Sequence, residues 1–231
     1  MTTQPPRAPG RPRAPDLKSE IRGPIDFEKA FSVSRETLDR LEIYESLLQR
    51  WQKTINLVAP STLNQIWGRH FADSAQILAL APPEAETWVD LGTGAGFPGL
   101  VVATLLAPKG QTNVTLVESD SRKAAFLREA AREMAVPVDI LPLRIEAAAT
   151  RVSLCRAGVI SARALAPLPR LLALAHPFCG PQSVCLFLKG RETSRELQAA
   201  ENDWIFESEL VPSLTDPESR VVIVRNLQPR A

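Results

Sequence analysis

Hydrophobic and polar positions change their spacing along this chain, and each spacing predicts a different element. In "SRETLDRLEIYESLLQRW" (34–51), apolar side chains recur at helical intervals behind a Ser–x–Glu start, which predicts a helix. A second helical stretch covers about 63–80 and ends before Pro82 and Pro83. Beyond it, short apolar runs alternate with helical stretches. Strands are expected near 86–91, 112–118, 137–141, 158–162 and 183–188, and helices near 97–106, 120–134, 144–150, 168–176 and 191–202.

This alternation predicts an α/β fold, a three-layer sandwich with a mostly parallel sheet between helices. The end of the chain differs. "WIFESELVPSL" (204–214) and "RVVIVRNL" (220–227) are separated only by "TDPES", which is too short for a crossover helix. The two runs must therefore pair as an antiparallel hairpin at the edge of the sheet. A Rossmann-like sheet with this ending resembles the class I S-adenosylmethionine (SAM) dependent methyltransferases, whereas a dinucleotide-binding fold normally ends on a parallel strand.

Composition divides the chain into three parts. Residues 1–24 hold six prolines and five Arg or Lys, with almost no large apolar side chain, so burial cannot offset their ordering entropy. We expect a disordered tail over 1–24, an N-terminal helical cap over 25–83, and a SAM-dependent methyltransferase domain over 84–231.

Charge and cysteine content add only limits. The formal net charge of +1 gives no overall sign of a nucleic-acid partner. The three cysteines form no C-x-x-C pair, and no apolar run is long enough for a signal peptide or a membrane helix. With only two histidines in the chain, no metal site is expected. We expect a soluble, cytoplasmic monomer without a membrane partner.

A glycine-rich loop follows the first predicted strand, and it fits two kinds of cofactor. Gly94-Ala-Gly96-Phe-Pro-Gly99 satisfies G-x-G-x-x-G, the pattern of NAD(P)- and FAD-binding proteins. The same residues also fit Asp90-x-Gly92-x-Gly94-x-Gly96, an acid-led loop of SAM enzymes, in which the helix N-terminus faces a carboxylate. Glu118 ends the second strand and suits the two ribose hydroxyls of either cofactor. The loop alone therefore leaves a NAD(P)-dependent oxidoreductase as the alternative to a methyltransferase.

Six motifs, in order, resemble the RsmG (GidB) family over about residues 36–227. They are "WQKTINLVA" (51–59), "RHFADS" (69–74), "VDLGTGAGFPG" (89–99), "ESDSRKAAFLREAA" (118–131), "ISARALAPL" (160–168) and "LFLKGR" (186–191). The resemblance implies an enzyme that uses SAM to methylate N7 of a guanine in 16S ribosomal RNA, acting on the RNA or on the small ribosomal subunit.

The resemblance also implies cofactor contacts at matching positions. Gly92 and Phe97 match contacts in the loop, Ile145 and Glu146 match the adenine end, and Arg163 follows the fourth strand. The loop pattern itself adds three further candidates for binding SAM. These are Gly94, Gly96 and Glu118.

The expected chemistry requires no catalytic acid, base or nucleophile. Guanine N7 carries no proton, and "SARA" (161–164) replaces the acceptor-rich tetrapeptide with which amino-group methyltransferases bind an exocyclic amine. Alignment of the reacting atoms is then the main task, with direct in-line transfer. Basic residues near the carboxyl edge of the sheet are the candidates for substrate binding: Arg69, His70, Arg122, Lys123, Lys189 and Arg191. A non-catalytic RNA-binding module would explain these basic residues but not the cofactor loop.

Overall fold

The computed structural model describes residues 21–230, and seven strands form one sheet at its centre. The sheet order is β3-β2-β1-β4-β5-β7-β6, and the first five strands run parallel. The strands are β1 (Thr87–Leu91), β2 (Asn113–Val117), β3 (Asp139–Leu141), β4 (Ala157–Arg163), β5 (Cys179–Lys189), β6 (Trp204–Pro212) and β7 (Arg220–Pro229). The predicted alternation is therefore confirmed.

The antiparallel hairpin is also confirmed. β7 pairs antiparallel with β5 on one side and with β6 on the other, so β6 forms the edge of the sheet. β7 carries an uninterrupted apolar run, Val221 to Val224, that is buried on both faces. A strand inside a sheet covered by helices needs such a run, because neither of its faces meets water.

Within residues 21–230, eight α-helices cover the sheet or precede it. They are α1 (Pro24–Phe31), α2 (Arg35–Trp51), α3 (Asp73–Ala75), α4 (Gly99–Leu106), α5 (Ser121–Glu133), α6 (Ile145–Ala148), α7 (Leu168–Ala175) and α8 (Thr193–Ala200). Two of the longer ones start on capping side chains. The Ser34 hydroxyl accepts a hydrogen bond from the Thr37 amide, and the Asp120 carboxylate accepts from the Arg122 and Lys123 amides.

The stretch predicted as one helix over 63–80 is instead a series of turns with different pitch. It consists of a 3₁₀ segment (Pro60–Gln65), a π segment (Ile66–Ala72), α3 and a second 3₁₀ segment (Gln76–Leu80). Apolar spacing indicates helical winding but does not separate these pitches. Gly68 lies within the π segment, where a β-carbon would come within 2.8 Å of the Ile21 carbonyl oxygen.

Two hydrophobic cores lie on opposite faces of the sheet. The first is shared between the sheet and the segment Pro24–Leu80, called the cap below: Leu38, Tyr44 and Phe71 of the cap pack in the same cluster as Leu100 of α4. The second core lies under α7 and α8. The cap and the sheet share this core, so their packing does not divide them into separate domains. The predicted boundary, between a helical cap over 25–83 and a methyltransferase domain over 84–231, remains a prediction.

Most of the predicted tail, 1–24, lies outside the described residues. Of its last four residues, Ile21 is buried and Pro24 begins α1, so ordered structure starts slightly before the predicted boundary. Among residues 21–230, no helix has both the length and the apolar character needed to cross a membrane.

Candidate active site

The glycine loop, residues 92–98, connects β1 to α4 at the carboxyl edge of the sheet. Gly92 and Gly94 both have φ of +61° and Gly96 has φ of +97°, conformations that L side chains rarely adopt. Asp90 closes the loop at its base, because its carboxylate accepts a hydrogen bond from the Gly99 amide at 2.9 Å. The sequence therefore uses glycine where the backbone must turn, and an acid where the following helix begins.

Asp90 is buried beneath the loop. Its second carboxylate oxygen accepts a hydrogen bond from the Ser161 hydroxyl at 2.6 Å, and Ser161 in turn accepts from the Trp88 indole at 2.8 Å. Burial raises the pKa of Asp90 to about 6. Asp90, the first residue of the loop pattern, thus joins β1 to β4 and α4. Its role is structural, and it lies beneath the glycine loop.

A cavity of about 600 Å³ opens above the glycine loop and is called the first cavity. It has the size of a small-molecule site and lies where open α/β sheets bind ligands. Its wall contains seven of the eight residues proposed to hold a cofactor: Gly92, Gly94, Phe97, Glu118, Ile145, Glu146 and Arg163. The β4–α7 loop, residues 164–167, forms the opposite wall.

Glu118 is held in the first cavity by two backbone amides. Its carboxylate accepts a hydrogen bond from Gly94 at 2.9 Å and another from Asp120 at 2.7 Å, although only 7% of the residue is exposed. Thr93 also lines this cavity, and its buried hydroxyl interacts with the Asp90 carboxylate beneath the loop. The wall therefore offers a fixed carboxylate, that of Glu118, to a polar ligand.

Gly96 is the exception among the predicted cofactor residues, because it faces the cap. A β-carbon there would overlap the Tyr44 hydroxyl and come within 2.8 Å of the Leu100 β-carbon. The Tyr44 hydroxyl donates a hydrogen bond to the carbonyl of the neighbouring Ala95. The pattern of glycines predicted a ligand contact at Gly96, but close packing of the cap on the loop explains this glycine.

Arg163, at the end of β4, is fixed by contacts with the cap. Its guanidinium pairs with the Asp73 carboxylate at 3.2 Å and donates to His70 Nδ1 at 2.9 Å and to the Arg69 carbonyl at 3.1 Å. The guanidinium carbon also lies 4.8 Å from the centre of the Phe97 ring. Arg163 therefore links the cap to the glycine loop while it lines the first cavity.

His70 is buried and uncharged. Nδ1 accepts from Arg163, so the ring proton lies on Nε2, which donates to the Thr62 hydroxyl at 2.8 Å. Burial, together with the nearby Arg163 and Arg69 charges, lowers the pKa of His70 to about 3. Both ring nitrogens are engaged within the protein, so His70 supports Arg163, a role different from the direct substrate contact predicted from the sequence.

A second cavity, of about 400 Å³, adjoins the first. Leu57, Arg163 and Ala164 line both cavities. Its other walls come from the cap, the end of β5 and the turn between β6 and β7 (residues 213–219, called the hairpin turn). Three of the predicted substrate residues lie in this wall: Arg69, His70 and Lys189.

The other three predicted substrate residues lie elsewhere. Lys123 lines the first cavity, on the side of Glu118. Arg122 is exposed and pairs with Asp120 at 3.5 Å, and Arg191 is 77% exposed and pairs with Glu218 at 3.3 Å. The structure thus separates the six basic residues into four that line a cavity and two that lie on the surface. Their positions in the sequence did not predict this difference.

Lys189 has a local role that its position in the sequence did not suggest. Its ammonium group pairs with Glu196 at 2.6 Å and donates to the Ala166 carbonyl at 2.8 Å. Glu196 also accepts from the Leu168 amide at 2.7 Å. Lys189 and Glu196 therefore hold the C-terminal end of the β4–α7 loop, which forms one wall of the first cavity.

Asp73 is the main site residue that the sequence reasoning missed. It pairs with Arg163 and accepts hydrogen bonds from Gln76 at 2.9 Å and from Thr215 at 3.0 Å. The only available signal was its place within the matched motif "RHFADS", which gives no indication of its partners.

Comparison with known proteins identifies the family to which this chain belongs. Residues 37–222 match the sequence model of the GidB family, described as rRNA small subunit methyltransferase G. A curated relative from Parvibaculum lavamentivorans is 50% identical over 201 residues, covering 87% of this chain and 88% of the relative. Another, from Rhodospirillum centenum, is 51% identical over 205 residues, covering 89% and 91%. Both are named ribosomal RNA small subunit methyltransferase G.

Solved structures show the same fold at low sequence identity. A TehB-like SAM-dependent methyltransferase from Corynebacterium glutamicum is 18% identical, with a TM-score of 0.52, and the match covers 80% of this chain and 98% of that one. A methyltransferase from Geobacter sulfurreducens is 10% identical, with a TM-score of 0.53, covering 81% and 88%. The predicted class I methyltransferase fold is confirmed.

Proposed function

Because the chain belongs to the rRNA small subunit methyltransferase G family, we propose that it transfers a methyl group from SAM to N7 of a guanine in 16S ribosomal RNA. The observation that carries the proposal is the joined pair of cavities at the carboxyl edge of the sheet. One has the residues for the methyl donor, and the other opens beside it at Arg163.

The residues of the first cavity suit SAM. The Glu118 carboxylate, held by two backbone amides, is an acceptor for the ribose hydroxyls. At Gly94 a β-carbon would find only the Gly92 carbonyl oxygen, 4.0 Å away, so the backbone is open to a ligand. Ile145 and Glu146 are proposed to meet the adenine, and Phe97 and Gly92 to contact the methionine end.

When bound, SAM would supply a methyl group carried on a sulfonium sulfur. The lone pair of guanine N7 would form the new N–C bond as the S–C bond breaks, and the leaving group would be a neutral thioether. No proton is lost from N7, so the protein needs no general base at this position. Its residues align the acceptor and exclude water, a task of proximity and orientation. The groups near the junction agree with this: Asp90 is sealed beneath the loop, and His70 is neutral with both nitrogens engaged.

A NAD(P)-dependent oxidoreductase was the alternative interpretation of the glycine loop. Family membership and the antiparallel hairpin both favour a methyltransferase. Titration of the purified protein with SAM and with NADH separates the two functions, because only the proposed cofactor should bind to the first cavity.

The decisive experiment is methyl transfer from labelled SAM to small ribosomal subunits, and separately to free 16S RNA, followed by mapping of the modified base. We expect label on N7 of a single guanine. A substrate with 7-deazaguanine at that position keeps O6 and the Watson–Crick edge but lacks the attacking nitrogen. It should bind and accept no methyl group; methylation of the deaza substrate would show that another atom is the acceptor.

A further inference from the structure

We propose that the second cavity receives the target base after the base leaves the RNA stack, with the edge that carries N7 and O6 turned toward Arg163. This inference rests on the proposed function and assigns its acceptor site. Enzymes that modify a base within structured RNA or DNA extrude it into a closely fitting pocket, and such a pocket must open onto the cofactor.

The junction between the two cavities carries the first step. Leu57, Arg163 and Ala164 belong to both walls, so the cavities meet at the end of β4. Arg163 is already fixed there by Asp73, His70 and the Phe97 ring. A base in the second cavity would therefore lie next to a cofactor in the first cavity, with the Arg163 guanidinium between them. The contacts within the protein fix this guanidinium before the base binds. N7 must stay free for attack, so O6 is the guanine acceptor left for Arg163.

The second step is that three distant parts of the chain are bonded together around this cavity. Asp73 of the cap pairs with Arg163 of β4 and accepts from Thr215 of the hairpin turn. Gln76 accepts from the Leu214 amide at 2.8 Å, and Arg69 pairs with Asp216 at 2.8 Å. The walls are thus joined by hydrogen bonds and ion pairs, as expected of a pre-formed site.

The third step is the match between the lining and a nucleotide. Four cationic side chains line the second cavity, and three of them are in ion pairs: Arg163 with Asp73, Arg69 with Asp216 and Lys189 with Glu196. The cations are Arg69, Arg163, Lys189 and Arg220. Aliphatic side chains provide the apolar surface for the faces of a base: Leu57, Val58, Leu188 and Val221. With a volume of about 400 Å³, the cavity suits a single nucleotide and is too small for a duplex.

A plug at Gly190 tests the assignment. Gly190 lines the second cavity, has φ outside the left-handed region, and a β-carbon there would meet no atom within 4 Å. Gly190→Phe should therefore fold and fill the space meant for the base. We expect SAM affinity within about twofold of wild type and methyl transfer to small subunits lowered by about a hundredfold at saturating SAM.

The matched control is Gly23→Phe, because a β-carbon at Gly23 also meets nothing within 4 Å and this glycine precedes α1, in neither cavity wall. Full methyl transfer by Gly190→Phe would overturn the base assignment while leaving the proposed function intact. If wild type itself transfers no methyl group to the RNA, the proposed function fails first.

A second measurement does not depend on that variant. Small subunits assembled with 6-thioguanosine at the mapped target should photo-crosslink to the wild-type protein within 57–76, 163–164, 188–190 or 213–221, the segments that contain the lining of the second cavity. Crosslinking confined to the exposed surface of α5 around Arg122 would place the base elsewhere and overturn the proposal.

Discussion

The Glu118 carboxylate accepts a hydrogen bond from the Gly94 amide at 2.9 Å, which joins the end of β2 to the glycine loop that follows β1. The two halves of the proposed cofactor site are therefore connected through the protein itself. A carboxylate that organises the loop and also meets the ribose should have a larger effect on binding than an ordinary surface acid.

We expect Glu118→Ala to weaken SAM binding by about tenfold or more, because two backbone amides and the ribose would lose a charged acceptor. Calorimetric titration with SAM measures this. Glu129→Ala, on the exposed side of α5 where it pairs with Arg50, is the control and should bind SAM as wild type does. Equal affinities of the two variants would remove Glu118 from the site.

Gly94→Val should abolish SAM binding in a protein that still folds. Gly94 has φ of +61°, so a branched side chain is strained there, and the side chain would also project where the ligand approaches the loop. Gly110 has the same φ of +61° and no atom within 4 Å of a β-carbon, so Gly110→Val reproduces the strain away from the cavity. We expect the two variants to have similar melting temperatures and only Gly94→Val to lose SAM binding. If both variants still bind SAM, Gly94 does not belong to the cofactor site.

Lys189→Met tests the clamp on the β4–α7 loop. If Lys189 acts through Ala166 and Glu196, the variant should raise the Kd for SAM by about tenfold, because the loop wall is released. Arg191→Met, whose side chain is exposed, should leave SAM affinity unchanged. If Lys189 instead binds the RNA substrate, as the sequence suggested, RNA binding and its salt dependence would change and SAM affinity would not.

The raised pKa of Asp90 predicts that the free energy of unfolding depends on pH. Its pKa is higher in the folded protein, about 6, than the ordinary 3.8, so folding favours the protonated form. The stabilisation is complete below the ordinary value and is lost as the pH rises through about 6. Urea unfolding of wild type and Asp90→Asn should show wild type losing stability relative to the variant between about pH 4 and about pH 6. A constant difference would show that Asp90 does not titrate in this range.

The rate of methyl transfer should not depend on pH once both substrates are bound. No proton leaves N7, and the pKa of His70, lowered to about 3, keeps this residue neutral. Single-turnover rates should be flat from about pH 7 to about pH 9. An inflection in this interval would indicate a general base and would refute the proposed chemistry.

The sheet was predictable from sequence because buried parallel strands leave a plain pattern. The apolar runs at β1 and β7 mark strands covered on both faces, and the short link before β7 fixes its direction. The relation of Glu118 to the glycine loop followed as well, since neighbouring parallel strands end at one edge. The loop residues Gly92 and Gly94 were predictable for the same reason.

The remaining contacts depend on residues far apart in the chain. Asp73 and Thr215 meet across 142 positions, and no local pattern predicts such a bond. The same holds for Gly96, which is small because Tyr44 of the cap packs against it. The helical pitch of the segment 63–80 could not be predicted from the spacing of its apolar residues either. Over a single turn, a π helix and an α helix bury nearly the same positions.

The order of the cavities along the chain has a consequence for biosynthesis. The lining of the first cavity ends at Leu174, whereas the second cavity requires residues as late as Val221, in β7. A translating ribosome thus delivers every residue that lines the proposed donor site before it delivers Lys189 and Glu196, which hold one wall of that site, and before it delivers the hairpin turn. A product terminated before the hairpin would carry every lining residue for the methyl donor and lack the turn that bonds to Asp73. The proposed site for the acceptor base is therefore the last part of the active site that synthesis completes.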